Sequence, residues 1–163
     1  AIAHARRMAG AEVQVTAVDA SADALAVAQQ NAAALALQVH LFRSNWFEQV
    51  SGHFHLIASN PPYIADADPH LPALRHEPLQ ALTAGHDGLD DIRQIIDQAP
   101  HHLHPGGWLL LEHGHDQADA VRELLCQRGF VQIDGRQDLA GIRRCSGGKW
   151  PAVATHDADR TPE

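Results

Sequence analysis

The chain has 163 residues, enough for one domain, and its 45% hydrophobic content can supply a core. Its formal charge of −8 disfavours a nucleic-acid surface, because duplex binding draws its affinity from Lys and Arg on phosphates. No apolar run reaches the length of a membrane span, no signal-peptide pattern opens the chain, and Cys126 and Cys145 form no paired framework; the expectation is a cytoplasmic protein, off the membrane, with both thiols free.

In chain order, residues 1–9 read as a helix already in progress, with Gly10 as its stop. The β-branched run "VQVTAVD" (13–19) reads as a strand ending on a carboxylate. Ser21 is placed to cap a long Ala-rich helix, "ADALAVAQQNAAALAL", with Asp23 suited to its first turn. "QVHLF" is a short second strand and "FHLIAS" (54–59) a third, followed by the corner "NPPY" and a long loop to about Ala84. "GLDDIRQIIDQAPHHL" is the next helix, which Pro100 should end or kink. "GGWLLLEHG" is an apolar strand and "DQADAVRELLCQRG" a helix closed by Gly129. "FVQIDGR" and the region from Ile142 to Trp150 read as a terminal antiparallel pair, and residues 151–163 as a disordered polar tail.

Thirteen histidines are many. They cluster at 101, 102 and 104, at 113 and 115, and at 53 and 55. A zinc site needs three or four convergent ligands, as a rule with Cys or carboxylate among them. No H-E-x-x-H or C-x-x-C occurs, so no metal is assigned and the histidines are read as surface and loop residues.

The alternation of apolar strands with amphipathic helices predicts an α/β fold with a parallel sheet covered on both faces. Ligands of such sheets sit beyond the carboxyl ends of the strands. Asp19, the pair Asn45–Trp46, and Asn60 to Tyr63 all lie at predicted strand ends, so one shared rim is expected. Asp19 is either a ribose-binding carboxylate or a plain helix-start residue. Trp46 is either one wall of an adenine slot or an ordinary aromatic.

The corner is more specific. Asn60 precedes proline and is pushed into an extended conformation. Pro61 and Pro62 have no N–H, so they offer carbonyls on a stiff backbone, and Tyr63 adds a flat ring. Together they can hold a planar –NH2 group, with the Asn60 side-chain oxygen on one N–H, the Pro61 carbonyl on the other and Tyr63 against the π face. Amide nitrogen is a poor nucleophile because its lone pair is delocalised. Two fixed acceptors on its hydrogens help to localise that pair and aim it. The competing reading is a proline-stiffened turn.

"SNPPYI", with "VDAS…A…A..NA", "SNWF", "HEPLQAL", "DGL" and "LLLEHG", resembles the protein-release-factor glutamine methyltransferases of the HemK/PrmC type, from Ala1 to about Trp150. The NPPY motif alone is shared with adenine amino-methyltransferases of DNA; "PHLPALRHEPLQAL" and "LLLEHG" point to the glutamine family. The resemblance implies a Rossmann-like class I fold, S-adenosyl-L-methionine as cofactor, and the Gly-Gly-Gln loop of bacterial peptide chain release factors as substrate. Carried over residue by residue, Asp19 is the acidic ribose ligand and Trp46 the residue beside the adenine. Asn60 touches both cofactor and target amide, and Pro61, Pro62 and Tyr63 complete the substrate site. Asn45 stands where the family has Asp and loses the charge there.

"GIRRCSGGKW" departs from the family's polar-Glu-Arg run, which implies weaker hairpin packing. The sequence also lacks the D-x-G-x-G-x-G loop that the family places between its first strand and first helix. Residues 1–150 are therefore expected to be a catalytic domain truncated at its N-terminus, missing its first strand and inactive by itself. Two other readings compete: an adenine amino-methyltransferase acting on nucleic acid, which would want a basic groove, and a non-catalytic remnant that only binds a partner.

Overall fold

The computed structural model describes residues 2, 3, 5, 10, 12–69, 71–74, 76 and 78–152. The chain divides into two compact units, residues 1–51 and 52–163. Among the described residues the strands form two sheets, one of two strands and one of four. The helix expected over residues 1–9 lies largely outside the described residues, although Gly10 has the φ of +66° that suits a stop. The expected tail is outside them from residue 153 on.

In the first unit β1 (Thr16–Asp19) pairs in parallel with β2 (His40–Arg43). β1 is shorter than "VQVTAVD" because Val13 and Gln14 are exposed, and the ladder begins where the His40 N–H reaches the Val15 carbonyl at 2.8 Å. α1 spans Ala22–Ala34. Ser21 caps it as expected, its hydroxyl accepting from the Ala24 N–H at 3.2 Å. The helix stops three residues early. Ala36 turns left-handed at φ +48°, and the Leu37 N–H returns to the Ala32 carbonyl at 2.8 Å, a Schellman-type closure that satisfies end carbonyls. No residue of α1 is buried.

The core belongs to the second unit. β3 (Phe54–Ser59) runs parallel to β4 (Leu103–Glu112), which pairs antiparallel with β6 (Arg143–Lys149); β5 (Val131–Gln137) closes the order β3-β4-β6-β5. The sheet is thus mixed, and the antiparallel terminal pair is the one expected. β4 starts ahead of Gly106, and Pro105 falls where the β3–β4 register shifts, a place where a missing N–H does no harm. Along β4, Leu109 and Leu111 are wholly buried while Trp108 and Leu110 between them are half-buried, the alternation of a pleated strand.

α2 (Asp90–Gln98) buries Ile92, Ile95 and Ile96, one face at helical spacing. Pro100 ends it in a 3-10 turn over Ala99–His102. α3 (Ala118–Arg128) buries Val121 and Leu125 and packs on α2, β5 and β6. Gly129 closes it at φ +101°, as expected. Each such Leu or Ile contributes about 1.5–3 kcal/mol by burial. The β5–β6 hairpin has little apolar packing at its tip, where Leu139 is fully exposed. Asp138 holds the turn instead, its Oδ1 accepting from the N–H groups of Ala140 and Ile142 at 2.8 and 3.0 Å.

Candidate active site

Asp19 ends β1, and Asn45–Trp46 follow β2. These strands are parallel neighbours, with Asp19 opposite Arg43 and the Ser44 N–H bonded to the Asp19 carbonyl at 3.2 Å. The three residues therefore share one end of the first unit. The Asp19 carboxylate uses Oδ1 to accept from the Ser21 N–H at 2.8 Å. This bond occupies one oxygen, and the residue is exposed. A carboxylate oriented by one N–H and open to solvent fits a diol ligand. The same side chain braces the helix start.

Trp46 is half-buried and stands at φ +46°, a left-handed conformation uncommon for a bulky residue. Ser44, which the sequence reading passed over, holds it there. This buried side chain donates to the Trp46 carbonyl at 2.9 Å and accepts from the Gln49 N–H at 3.0 Å. The only hint was a small hydroxyl residue directly after a strand. Asn45 is exposed and donates its amide to Glu48 Oε1 at 2.6 Å.

The corner Asn60–Tyr63 follows β3 in the second unit. Asn60 is exposed, Pro61 fully buried, and Pro62 and Tyr63 are half-buried. A buried proline behind an exposed asparagine makes a rigid step that presents the amide outward. Beyond it Ile64 exchanges hydrogen bonds with the next loop: its N–H reaches the Leu82 carbonyl at 2.9 Å and its carbonyl takes the Ala84 N–H at 3.0 Å. Gln117 Nε2 donates to the Tyr63 carbonyl at 3.0 Å and to the Asp87 carbonyl at 3.1 Å. The loop carrying Asp87 is tied in turn to α2 by Arg93, whose Nη1 donates to Asp87 Oδ1 at 3.0 Å. That hydrogen-bonded guanidinium lowers the Asp87 pKa to about 2.

The histidines need one correction. His113 is not a surface residue; it is wholly buried, with Nδ1 at 2.9 Å from the Gly114 carbonyl and Nε2 at 2.8 Å from Ser146 Oγ. Its role is structural. Among the described residues no group of three His, Cys, Asp or Glu is placed to hold a metal. Cys126 and Cys145 are both free thiols, and no described helix is long and apolar enough to cross a membrane.

The family model for the methyltransferase small domain matches residues 1–81. The chain is 53% identical over 140 residues to a release factor glutamine methyltransferase of Pseudomonas aeruginosa, covering 83% of this chain and 51% of that protein. It thus spans about half the length of the relatives it matches. Among solved structures, a methyltransferase from Pyrococcus furiosus superposes with a TM-score of 0.65 at 20% identity, over 86% of this chain and 64% of that one. A 16S rRNA methyltransferase of T. thermophilus, in complex with AdoMet and guanosine, gives 0.62 at 17% identity, over 85% of this chain and 32% of that one. These likenesses give the fold, which is that of the class I methyltransferases. At the far higher identity of the first relative, this chain is similar to about half of a release factor glutamine methyltransferase.

Proposed function

We propose that this chain carries cofactor- and substrate-binding residues of an enzyme that methylates the side-chain amide nitrogen of the glutamine in the Gly-Gly-Gln motif of peptide chain release factors. The observation that carries the reading is the Asn60–Tyr63 corner, stiff and outward-facing at the end of β3, in a chain whose relatives share that name.

The cofactor is S-adenosyl-L-methionine, which supplies an electrophilic methyl group when bound. Asp19 accepts from the ribose hydroxyls. Trp46 lies along the adenine, beside Asn45. In the corner, Asn60 Oδ1 and the Pro61 carbonyl each accept one N–H of the glutamine amide, while the Tyr63 ring lies on its flat face and Pro62 fixes the spacing. Asn60 and Pro61 are fixed dipoles and not bases, so they orient the amide and polarise its N–H bonds. The nitrogen would give up one proton to water as its new bond to carbon forms and the methyl carbon–sulfur bond breaks, with S-adenosylhomocysteine as the leaving group. The working location is the cytoplasm, where release factors act.

The test is label transfer. The natural-length protein, incubated with radiolabelled S-adenosylmethionine, is expected to label a purified release factor and to leave duplex DNA unlabelled. Label on adenine with none on protein would replace this reading by the nucleic-acid one.

A further inference from the structure

We infer that Gln117 is a positioning residue for the methyl-transfer site: its buried side-chain amide fixes the Tyr63 carbonyl, and through it the face of the corner that receives the substrate amide. The inference rests on the corner being the substrate site. Gln117 lies at the start of α3, far from Tyr63 in sequence, and its side chain bridges three segments. Nε2 reaches the carbonyls of Tyr63, Asp87 and Gly88 at 3.0, 3.1 and 3.3 Å. Oε1 accepts from the Gly114 N–H at 2.8 Å. Carbonyls can only accept and an N–H can only donate, so these partners leave the amide one orientation. Two N–H bonds shared among three carbonyls make Gln117 the common point of the corner, the Asp87–Gly88 loop and the turn after β4.

A second feature points the same way. Gly88 is buried at φ +71°, and a Cβ there would stand 2.8 Å from the Tyr63 carbonyl carbon and 2.9 Å from Gln117 Nε2. The loop can approach the corner only because that residue has no side chain, and a methyl would enter at the junction of amide and carbonyl. A carbonyl held this way fixes the peptide plane that follows the Tyr63 ring. A shift of about 1 Å in a positioning group lowers rates by roughly a hundredfold.

The chain contains a single tyrosine, so 3-fluorotyrosine gives a local reporter, assigned in the natural-length protein by Tyr63→Phe. Gln117→Leu is expected to lower kcat about tenfold or more, to leave KM for S-adenosylmethionine within about twofold, and to move or broaden the Tyr63 fluorine resonance. Gly88→Ala is expected to do the same with Gln117 intact. Gln117→Glu keeps the acceptor for Gly114 but sets a carboxylate against three carbonyls. Its resonance is expected to return toward wild type as pH falls, because the protonated acid regains one donor. That titration decides the matter if Gln117→Leu does not fold. A folded Gln117→Leu protein with wild-type kcat and an unmoved resonance, or a Gln117→Glu resonance indifferent to pH, overturns the inference. Asn60→Ala at the wild-type rate overturns the functional reading instead, and leaves the fluorine measurement to judge the hold on Tyr63.

Discussion

Removing one hydroxyl from the second unit tests how its core is built. His113 has no solvent exposure, and its Nδ1 faces a carbonyl, which can only accept. Nδ1 must therefore carry the proton, and in the neutral ring Nε2 accepts from the Ser146 hydroxyl at 2.8 Å. Ser146→Ala removes the donor and strands a buried acceptor. A hydrogen bond contributes about 0.5–1.5 kcal/mol net, and an unsatisfied buried polar atom costs about 1–3 kcal/mol. The void left by one oxygen is small by comparison, so a loss of about 2 kcal/mol is expected, equivalent to roughly 8 °C in Tm for a unit of this size. The assay is urea unfolding of single and double variants, with 15N shifts of His113 to read the tautomer. Combining Ser146→Ala with His113→Phe removes both partners and should recover about 1 kcal/mol relative to additivity. An unchanged unfolding midpoint for Ser146→Ala, or a His113 ring protonated at Nε2 alone in the wild type, refutes the reasoning.

Three further outcomes follow from the geometry. Asp19→Asn keeps the acceptor for the Ser21 N–H but removes the charge; calorimetry should find S-adenosylmethionine binding weakened about tenfold or more, with α1 intact by circular dichroism. The depressed pKa of Asp87 means that its bond to Arg93 stabilises the fold above pH 4 and is lost as pH falls through about 2. Both side chains are more than two-fifths exposed, so Arg93→Gln should lower stability by only about 0.2–1 kcal/mol at pH 5 in urea titrations, with the difference gone below pH 2. Burial, with Glu112 nearby, raises the Cys145 pKa, whereas Cys126 is exposed. Mass spectrometry of a timed iodoacetamide reaction at pH 8 should find Cys126 alkylated first and Cys145 about tenfold more slowly or less.

What was legible in the sequence was local. The bounds of β3, the Ser21 cap, the helix end at Pro100 and the Gly129 closure each depend on neighbours a few residues away, and the structure keeps all four. The pairing of strands is not local. β1 pairs with β2 and β3 with β4, each through residues far along the chain. Gln117 was invisible for the same reason: in "DQADAV" it reads as a polar helix start, and its carbonyl partners come from 29 to 54 residues away. His113 was misjudged because a histidine after a strand resembles a loop residue until Ser146, 33 residues on, is folded against it. Around the candidate site, the scaffolding by Ser44, Gly88 and Gln117 was not readable.

The central claim is that the corner beginning at Asn60 orients a glutamine amide for methylation, and peptide mapping tests it most directly. The natural-length protein and its Asn60→Ala variant are incubated with S-adenosylmethionine and a release factor, and the Gly-Gly-Gln peptide is followed by tandem mass spectrometry. The account predicts one methyl group on the glutamine side chain with the wild type, and a rate about a hundredfold lower or worse for Asn60→Ala. Methylation of that glutamine by Asn60→Ala at the wild-type rate, or a methyl group placed on any other residue, would contradict it.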